Sequence, residues 1–309
     1  MRVADLGQGA TARFLTSTRG LVLRTGPFVT RLRTRLPDVA RAIDQLYAHY
    51  PVVDSNAFVD FDVSVRRSGG LRSWWRPQVV FGFEGQEPFN PLPGDQGLPL
   101  LEWGLNWCVY GLCNQFLIFH AAVLERNGRA LVLPAPSGSG KSTLCAALLF
   151  SGWRLLSDEL TLVAPDDGRV VPHPRPVSLK NASIDVIRKF APQVRFASRV
   201  EETVKGVVAH FPAPEAAVLR ANERAEPGWL VLPRYVAGAP ACLRPMERAQ
   251  AFVAMVENAF NYDVFGAEGF ELLASLVGRS TCFSFEYGDI GEAVRLFGRL
   301  SDGLPVDLG

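Results

Sequence analysis

The sequence predicts an α/β protein in which a smaller α+β module precedes a larger P-loop domain. Three observations carry that expectation. An apolar strand, Ala130 to Leu133, runs through a stretch of small residues ending in Ser137-Gly138-Ser139-Gly140, then into Lys141-Ser142-Thr143 and a helical pattern of Leu144, Ala147 and Leu148. Asn127-Gly128, the strongest two-residue hairpin signal, joins that strand to an equally apolar one before it. A Pro/Gly-rich connection, Pro88 to Gly97, divides residues 1–97 from residues 98–309.

Within residues 1–97, Leu21 to Arg24 and Phe28 to Leu32 are expected as strands around Gly26-Pro27. Pro37 suits a first helical turn, and Val39, Ile43 and Leu46 follow at helical spacing. Val59, Phe61, Val63 and Val65 alternate with polar residues, the pattern of a half-buried strand, and Val79 to Phe83 is another strand. Arg66, Arg67, Arg72 and Arg76 surround Trp74 and Trp75, which makes either a partner-docking face or a solvated loop with two anchoring tryptophans.

Past the connection, Leu100 to Cys113 reads as a buried helix, and Phe116 to Glu125 with Arg129 to Leu133 as the hairpin. Trp153 to Leu156 and Leu160 to Val163 are extended, with a turn at Pro165-Asp166-Asp167-Gly168. Residues 171–228 are broken by prolines and yield one short helix, Ser183 to Phe190. Leu230 to Leu232 and Cys282 to Tyr287 read as strands, Met246 to Ala259 and Glu268 to Val277 as helices, and Asp289 caps a last helix reaching Leu300.

Composition excludes several classes. The formal net charge is +1, so no bulk electrostatics points to nucleic acid or to an anionic membrane. The N-terminal residues contain no apolar signal segment, and a cytoplasmic location is expected. The five cysteines are scattered without zinc-like spacing and read as reduced thiols. The most apolar stretch, Leu98 to Phe119, is interrupted by Glu102, Asn106, Asn114 and Gln115, which suits a core helix and strand better than a membrane span.

The loop from Ser137 to Thr143 has the chemistry of a nucleotide-binding site. Gly138 and Gly140 allow torsions that a Cβ would forbid, so successive N–H groups can converge on phosphate oxygens at a helix N-terminus. Lys141 can reach the β- and γ-phosphates of ATP, and the Ser142 hydroxyl can hold Mg²⁺. The first glycine of the strict pattern is replaced by Ala135. Asp158-Glu159 ends the first strand after the loop's helix, only 17 residues past Lys141. That proximity suits a kinase, in which a carboxylate stands beside both the γ-phosphate and the acceptor hydroxyl. An ABC-type ATPase would need a Leu-Ser-Gly-Gly signature, and a GTPase an Asn-Lys-x-Asp motif; neither is present.

Ala-Pro-Ser-Gly-Ser-Gly-Lys-Ser followed by Ser-Gly-Trp-Arg-Leu-Leu-Ser-Asp-Glu resembles the catalytic domain of HPr kinase/phosphorylase, and most closely the divergent HprK-related kinase A group. The resemblance spans roughly residues 115–300. It implies an HPr-kinase-like fold and an ATP- and Mg²⁺-dependent kinase that phosphorylates a hydroxyl, with a serine of a peptide or small protein as acceptor. It also implies that Asp158 is the catalytic carboxylate and that His120, on the strand before the loop, works beside it. Glu159 stands where the family has a second aspartate, as a metal ligand or a shaping residue. Lys205 and then Lys180 are candidates for a further cation on the phosphate or substrate, with His210 and Arg234 also near the irregular region. A small-molecule kinase and a nucleotide-binding regulatory module without transfer activity remain open alternatives, as does a homo-oligomer.

Overall fold

The computed structural model describes residues 1–69, 75–136 and 138–306. The chain first forms α1 (Ala10–Thr16), β1 (Leu21–Thr25), β2 (Phe28–Thr34), α2 (Pro37–Leu46), β3 (Phe61–Arg67), β4 (Gln78–Phe83), β5 (Leu92–Pro93) and α3 (Gly97–Leu112). Next come β6 (Leu117–Arg126), β7 (Arg129–Pro134), α4 (Lys141–Phe150), β8 (Arg154–Ser157), β9 (Leu160–Val163) and β10 (Val170–Val171). The proline-broken stretch, where sequence placed only one short helix, contains β11 (Val177–Lys180), α5 (Ala182–Phe190), which is that helix, β12 (Ser198–Thr203), β13 (Gly206–Phe211) and α6 (Glu215–Leu219). The chain ends with β14 (Glu226–Tyr235), β15 (Cys242–Pro245), α7 (Arg248–Glu257), α8 (Tyr262–Gly278), β16 (Thr281–Tyr287) and α9 (Ile290–Ser301). The fold is thus mixed α/β with several sheets. Among the described residues no helix is long and apolar enough to cross a membrane.

Two compact units result. The first joins Met1–Leu112 to two later segments, Arg175–Asn181 and Arg195–Leu219; the second takes Cys113–Pro174, Ala182–Val194 and Arg220–Gly309. The boundary expected between residues 97 and 98 is therefore corrected. α3 goes with the N-terminal residues because it packs on β3 and β4. At Gly104 the approach is so close that a Cβ would lie 2.2 Å from the Phe81 ring.

In the first unit, β1 to β5 form a sheet in sequence order, with β2 and β3 parallel through the α2 crossover. α2 buries Val39, Ala42, Ile43 and Leu46, the stripe its periodicity foretold. A second sheet has the order β11-β13-β12. A buried polar cluster joins the early and late segments: the Tyr47 hydroxyl donates to Glu102 Oε1 at 2.7 Å, and Arg175 pairs with Glu102 Oε2 and donates to Asn106 Oδ1 at 2.5 Å. Burial, then the neighbouring Glu102 charge, pushes the Tyr47 phenol well above its ordinary range. In the cluster of arginines and tryptophans, Arg66 pairs with Glu87 and Trp75 is exposed, whereas Arg72 and Trp74 lie outside the described residues.

In the second unit the strand order is β10-β9-β6-β7-β14-β16-β15, with β8 also paired to β6. β7, β14 and β16 run parallel. Val123, Val132, Leu230, Met255 and Leu273 share its core. β14 runs well beyond the three residues expected. Its Pro233 lies past the last β7 pairing, Leu230 with Val132, so its missing N–H breaks no ladder bond there.

Beside the Asn127-Gly128 turn, the buried Glu125 carboxylate accepts from Arg154 Nε at 2.5 Å and from the Gly128 N–H at 2.6 Å. Burial alone would raise its pKa, but Arg154 and the Gly128 N–H outweigh burial and hold it below the ordinary 4.5. A depressed folded-state pKa stabilises the fold above the unfolded value and loses that stabilisation as pH falls through the folded value. Wild-type melting temperature is therefore expected to drop as pH is taken below about 4.5. Glu125→Gln should flatten part of that drop and cost on the order of 3 kcal/mol at neutral pH, because it leaves Arg154 without its carboxylate. Melts of both proteins from pH 3 to 8 check this; parallel curves would assign the acid sensitivity to other groups.

Candidate functional site

The glycine-rich loop leaves β7 and enters α4 as its spacing predicted. Gly138 and Gly140 sit at φ 90° and 89°, where an L side chain is strained. The Gly140 carbonyl accepts the first bond of α4 from the Leu144 N–H at 3.0 Å. It also accepts from the Tyr287 hydroxyl at 2.9 Å. The Tyr235 N–H donates to Ser139 O at 2.9 Å. The ends of β14 and β16 thus hold the loop from one side. A Cβ on Gly140 would lie 2.4 Å from Tyr287 Oη. Gly140→Ala is expected to lose that hydroxyl bond and to destabilise the protein by about 2 kcal/mol, with torsional strain as the larger part. Gly138→Ala, strained in torsion but with no atom within 4 Å of its Cβ, should cost less. Equal melting temperatures for the two variants would discount the Tyr287 contact.

His120 is set on β6 by bonds on both sides. Its N–H donates to Asn258 O at 2.7 Å, its residue pairs with Leu160 of β9, and its ring meets Phe260 at 6.2 Å. Asn261 fixes the start of β6 by accepting from the Ile118 N–H at 2.9 Å and donating to Phe116 O at 2.9 Å. Lys141 opens α4 with only 6% of its surface exposed. Its Nζ lies 3.1 Å from His120 Nε2. With Lys141 charged, its ammonium can only donate, which makes Nε2 the acceptor and puts the ring proton on Nδ1.

Asp158 and Glu159 form the bend between β8 and β9. Ser157 Oγ shapes that bend, accepting from the Leu160 N–H at 3.0 Å. β8 pairs with β6 at Val123 and β9 at His120, in one register, so the bend faces Ala121 and Ala122. Asp158 is buried. Burial pushes the pKa of the Cys145 thiol on α4 up, the Asp158 charge pushes it further, and Lys141 draws it down. Imidazole and Lys141 amine thus meet at the start of α4, and the Asp158–Glu159 bend lies on the strands paired with β6.

Ser139, Gly140, Lys141, Ser142 and Thr143 follow one another through the end of the loop and the first turn of α4. Ser137 lies outside the described residues. Lys180 and Lys205 belong to the first unit, not to the unit that carries the loop. Lys205 Nζ stands over the Trp103 ring at 4.9 Å, a cation–π contact, and its backbone N–H bonds Thr203 Oγ1 in the turn between β12 and β13. His210, also in that unit, is buried with Nδ1 at 3.3 Å from Ser198 Oγ. Arg234 is exposed beside Glu286. Sequence reasoning missed Tyr235 and Tyr287, which no motif marks.

The family model described as SynChlorMet cassette protein ScmC matches residues 107–223, a stretch that includes the glycine-rich loop and Asp158. No curated protein matches the chain. Among solved structures, the chain is similar to the Hpr(Ser) kinase/phosphatase from Coxiella burnetii, at 11% identity over 60% of this chain and 98% of that one, with a TM-score of 0.26. So low a TM-score makes that structure no guide to the geometry here.

Proposed function

We propose that the loop of residues 137–143 holds the triphosphate of ATP, and that the protein transfers the γ-phosphoryl group to a hydroxyl placed beside Asp158. The observation that carries this reading is the 3.1 Å contact of Lys141 Nζ with His120 Nε2 at a loop with two left-handed glycines, on the N-terminus of α4, with Asp158 in the bend of the strands paired with β6. Backbone N–H groups there can take phosphate oxygens without side-chain reorganisation. The Lys141 ammonium, now bonded to His120, can swing or share its other protons with the β- and γ-oxygens. Asp158 orients the acceptor oxygen in line with phosphorus and takes its proton. His120 holds Lys141 in position and stands within reach of the transferring group.

The donor set fits Mg²⁺ carried on the nucleotide. Among the described residues no three His, Cys, Asp or Glu side chains gather as a metal cage. Mg²⁺ on a nucleotide needs only one or two protein oxygens beside phosphate and water, which Ser142 and Glu159 can supply. When bound, the ion neutralises charge on the phosphate oxygens. A serine of a peptide or small protein is the acceptor that the sequence resemblance implies. The test is incubation with γ-labelled ATP, Mg²⁺ and serine-containing peptides, together with calorimetry of ATP–Mg²⁺ binding. Binding and label transfer are expected; a protein that binds no ATP at millimolar concentration overturns the reading.

A further inference from the structure

β7, β14 and β16 run parallel, so their carboxyl ends share one edge, the edge at which open α/β sheets take ligands. β14 ends at Tyr235 and β16 at Tyr287, paired in register. The fold treats the two rings differently. Tyr287 is buried, stacked on Phe285 at 5.2 Å, and burial raises its phenol pKa so that the hydroxyl remains a donor to Gly140. Tyr235 is 52% exposed, yet it is held firmly. Its N–H bonds Ser139 O, its ring meets the Tyr287 ring at 5.7 Å and 71°, and its Cβ lies 3.0 Å from where a Gly140 Cβ would be. The chain beyond it turns through Val236-Ala237-Gly238-Ala239, closed by the Ala239 N–H on Val236 O at 3.1 Å. An open aromatic face thus stands beside the loop, with only small side chains following it.

Such a face suits a planar aromatic ligand, since every nucleobase offers a π surface of its own. We propose that Tyr235 is the stacking platform for the base of the nucleotide whose phosphates occupy the loop. The inference rests on the reading of the loop as a triphosphate site, and it names the part of the ligand that the loop itself leaves unaddressed. It requires the aromatic ring of Tyr235 and not its hydroxyl.

The test compares ATP with inorganic tripolyphosphate, both with Mg²⁺, by calorimetry on the full chain. Wild type should bind ATP more tightly than tripolyphosphate. Tyr235→Ala should weaken ATP binding by about tenfold or more, the factor that stacking on one ring contributes, and bring its affinity down toward that of tripolyphosphate. Tyr235→Phe should keep wild-type affinity for ATP. A Tyr235→Ala protein that loses both ligands by the same factor would show a ring that only supports the loop, and the proposal would fail. Equal wild-type affinity for the two ligands would also overturn the platform while leaving the phosphate site standing. A wild type that binds neither ligand would remove the triphosphate site and the platform together.

Discussion

Lys141→Ala is expected to cut phosphoryl transfer by about 10²–10³-fold and to weaken ATP–Mg²⁺ binding. The side chain is the cation at the first residue of α4, buried to 6% exposure and directed at His120. On the proposed reading, its removal takes away a buried positive charge facing the β- and γ-oxygens. A preorganised electrostatic partner of that kind is worth about 10²–10³ in rate. The fold should survive, since alanine is a good helix residue. Labelled phosphate transferred at saturating ATP, with the ATP-induced rise in melting temperature, measures both effects. A melting shift unchanged from wild type would mean that the loop does not hold the triphosphate.

Asp158→Asn should separate binding from chemistry. Asparagine keeps the size and one oxygen but loses the negative charge and nearly all basicity. ATP–Mg²⁺ should still bind, and somewhat more tightly, because a carboxylate near the γ-phosphate repels it. Transfer should fall by about 10²-fold or more, the usual contribution of a positioned base. A loose transition state asks little of a base, so the drop reports orientation of the hydroxyl together with proton removal. Glu159→Gln is the control at the neighbouring position of the same bend. A metal-facing carboxylate should show its loss as a raised Mg²⁺ requirement at nearly full maximal rate. Wild-type turnover in Asp158→Asn at saturating ATP and Mg²⁺ would leave that residue a purely structural part of the turn between β8 and β9.

The parts of this protein that were legible in the sequence are those governed by local rules. α2 and α9 follow from apolar spacing and from caps, and Asp289 does accept from the Glu292 N–H at 2.8 Å. The β6–β7 hairpin follows from Asn127-Gly128. The loop, His120 and Asp158 lie close along the chain, joined by one hairpin and one helix, and the structure brings His120 Nε2 to 3.1 Å from Lys141 Nζ. Tyr287 was not legible, since it lies 147 residues from Gly140 and reaches it only through the parallel order β7-β14-β16. β11, β12 and β13 escaped notice because prolines break the periodicity around them, and they are specified by pairing with one another. The Pro/Gly stretch before residue 98 was misread as a linker. It contains β5, and its last glycine marks close packing: a Cβ on Gly97 would lie 2.8 Å from Val39 Cγ2. Glycine in a sequence signals close approach as readily as it signals freedom.

The order in which the ribosome delivers the chain follows from the interleaving of the two units. The first unit cannot be completed when residue 112 emerges, because its later segments end only at residue 219. Until residue 175 is made, the carboxylate of Glu102 waits for Arg175, 73 residues downstream, with the Tyr47 hydroxyl as its partner. At ordinary elongation rates that delay is several seconds. Burying Glu102 without its cation is costly, which disfavours closure of the early sheet and α3 before Arg175 is made. A separately produced fragment ending near residue 112 would lack Arg175 and the other later segments of the first unit, so no single cut of the chain separates the two units.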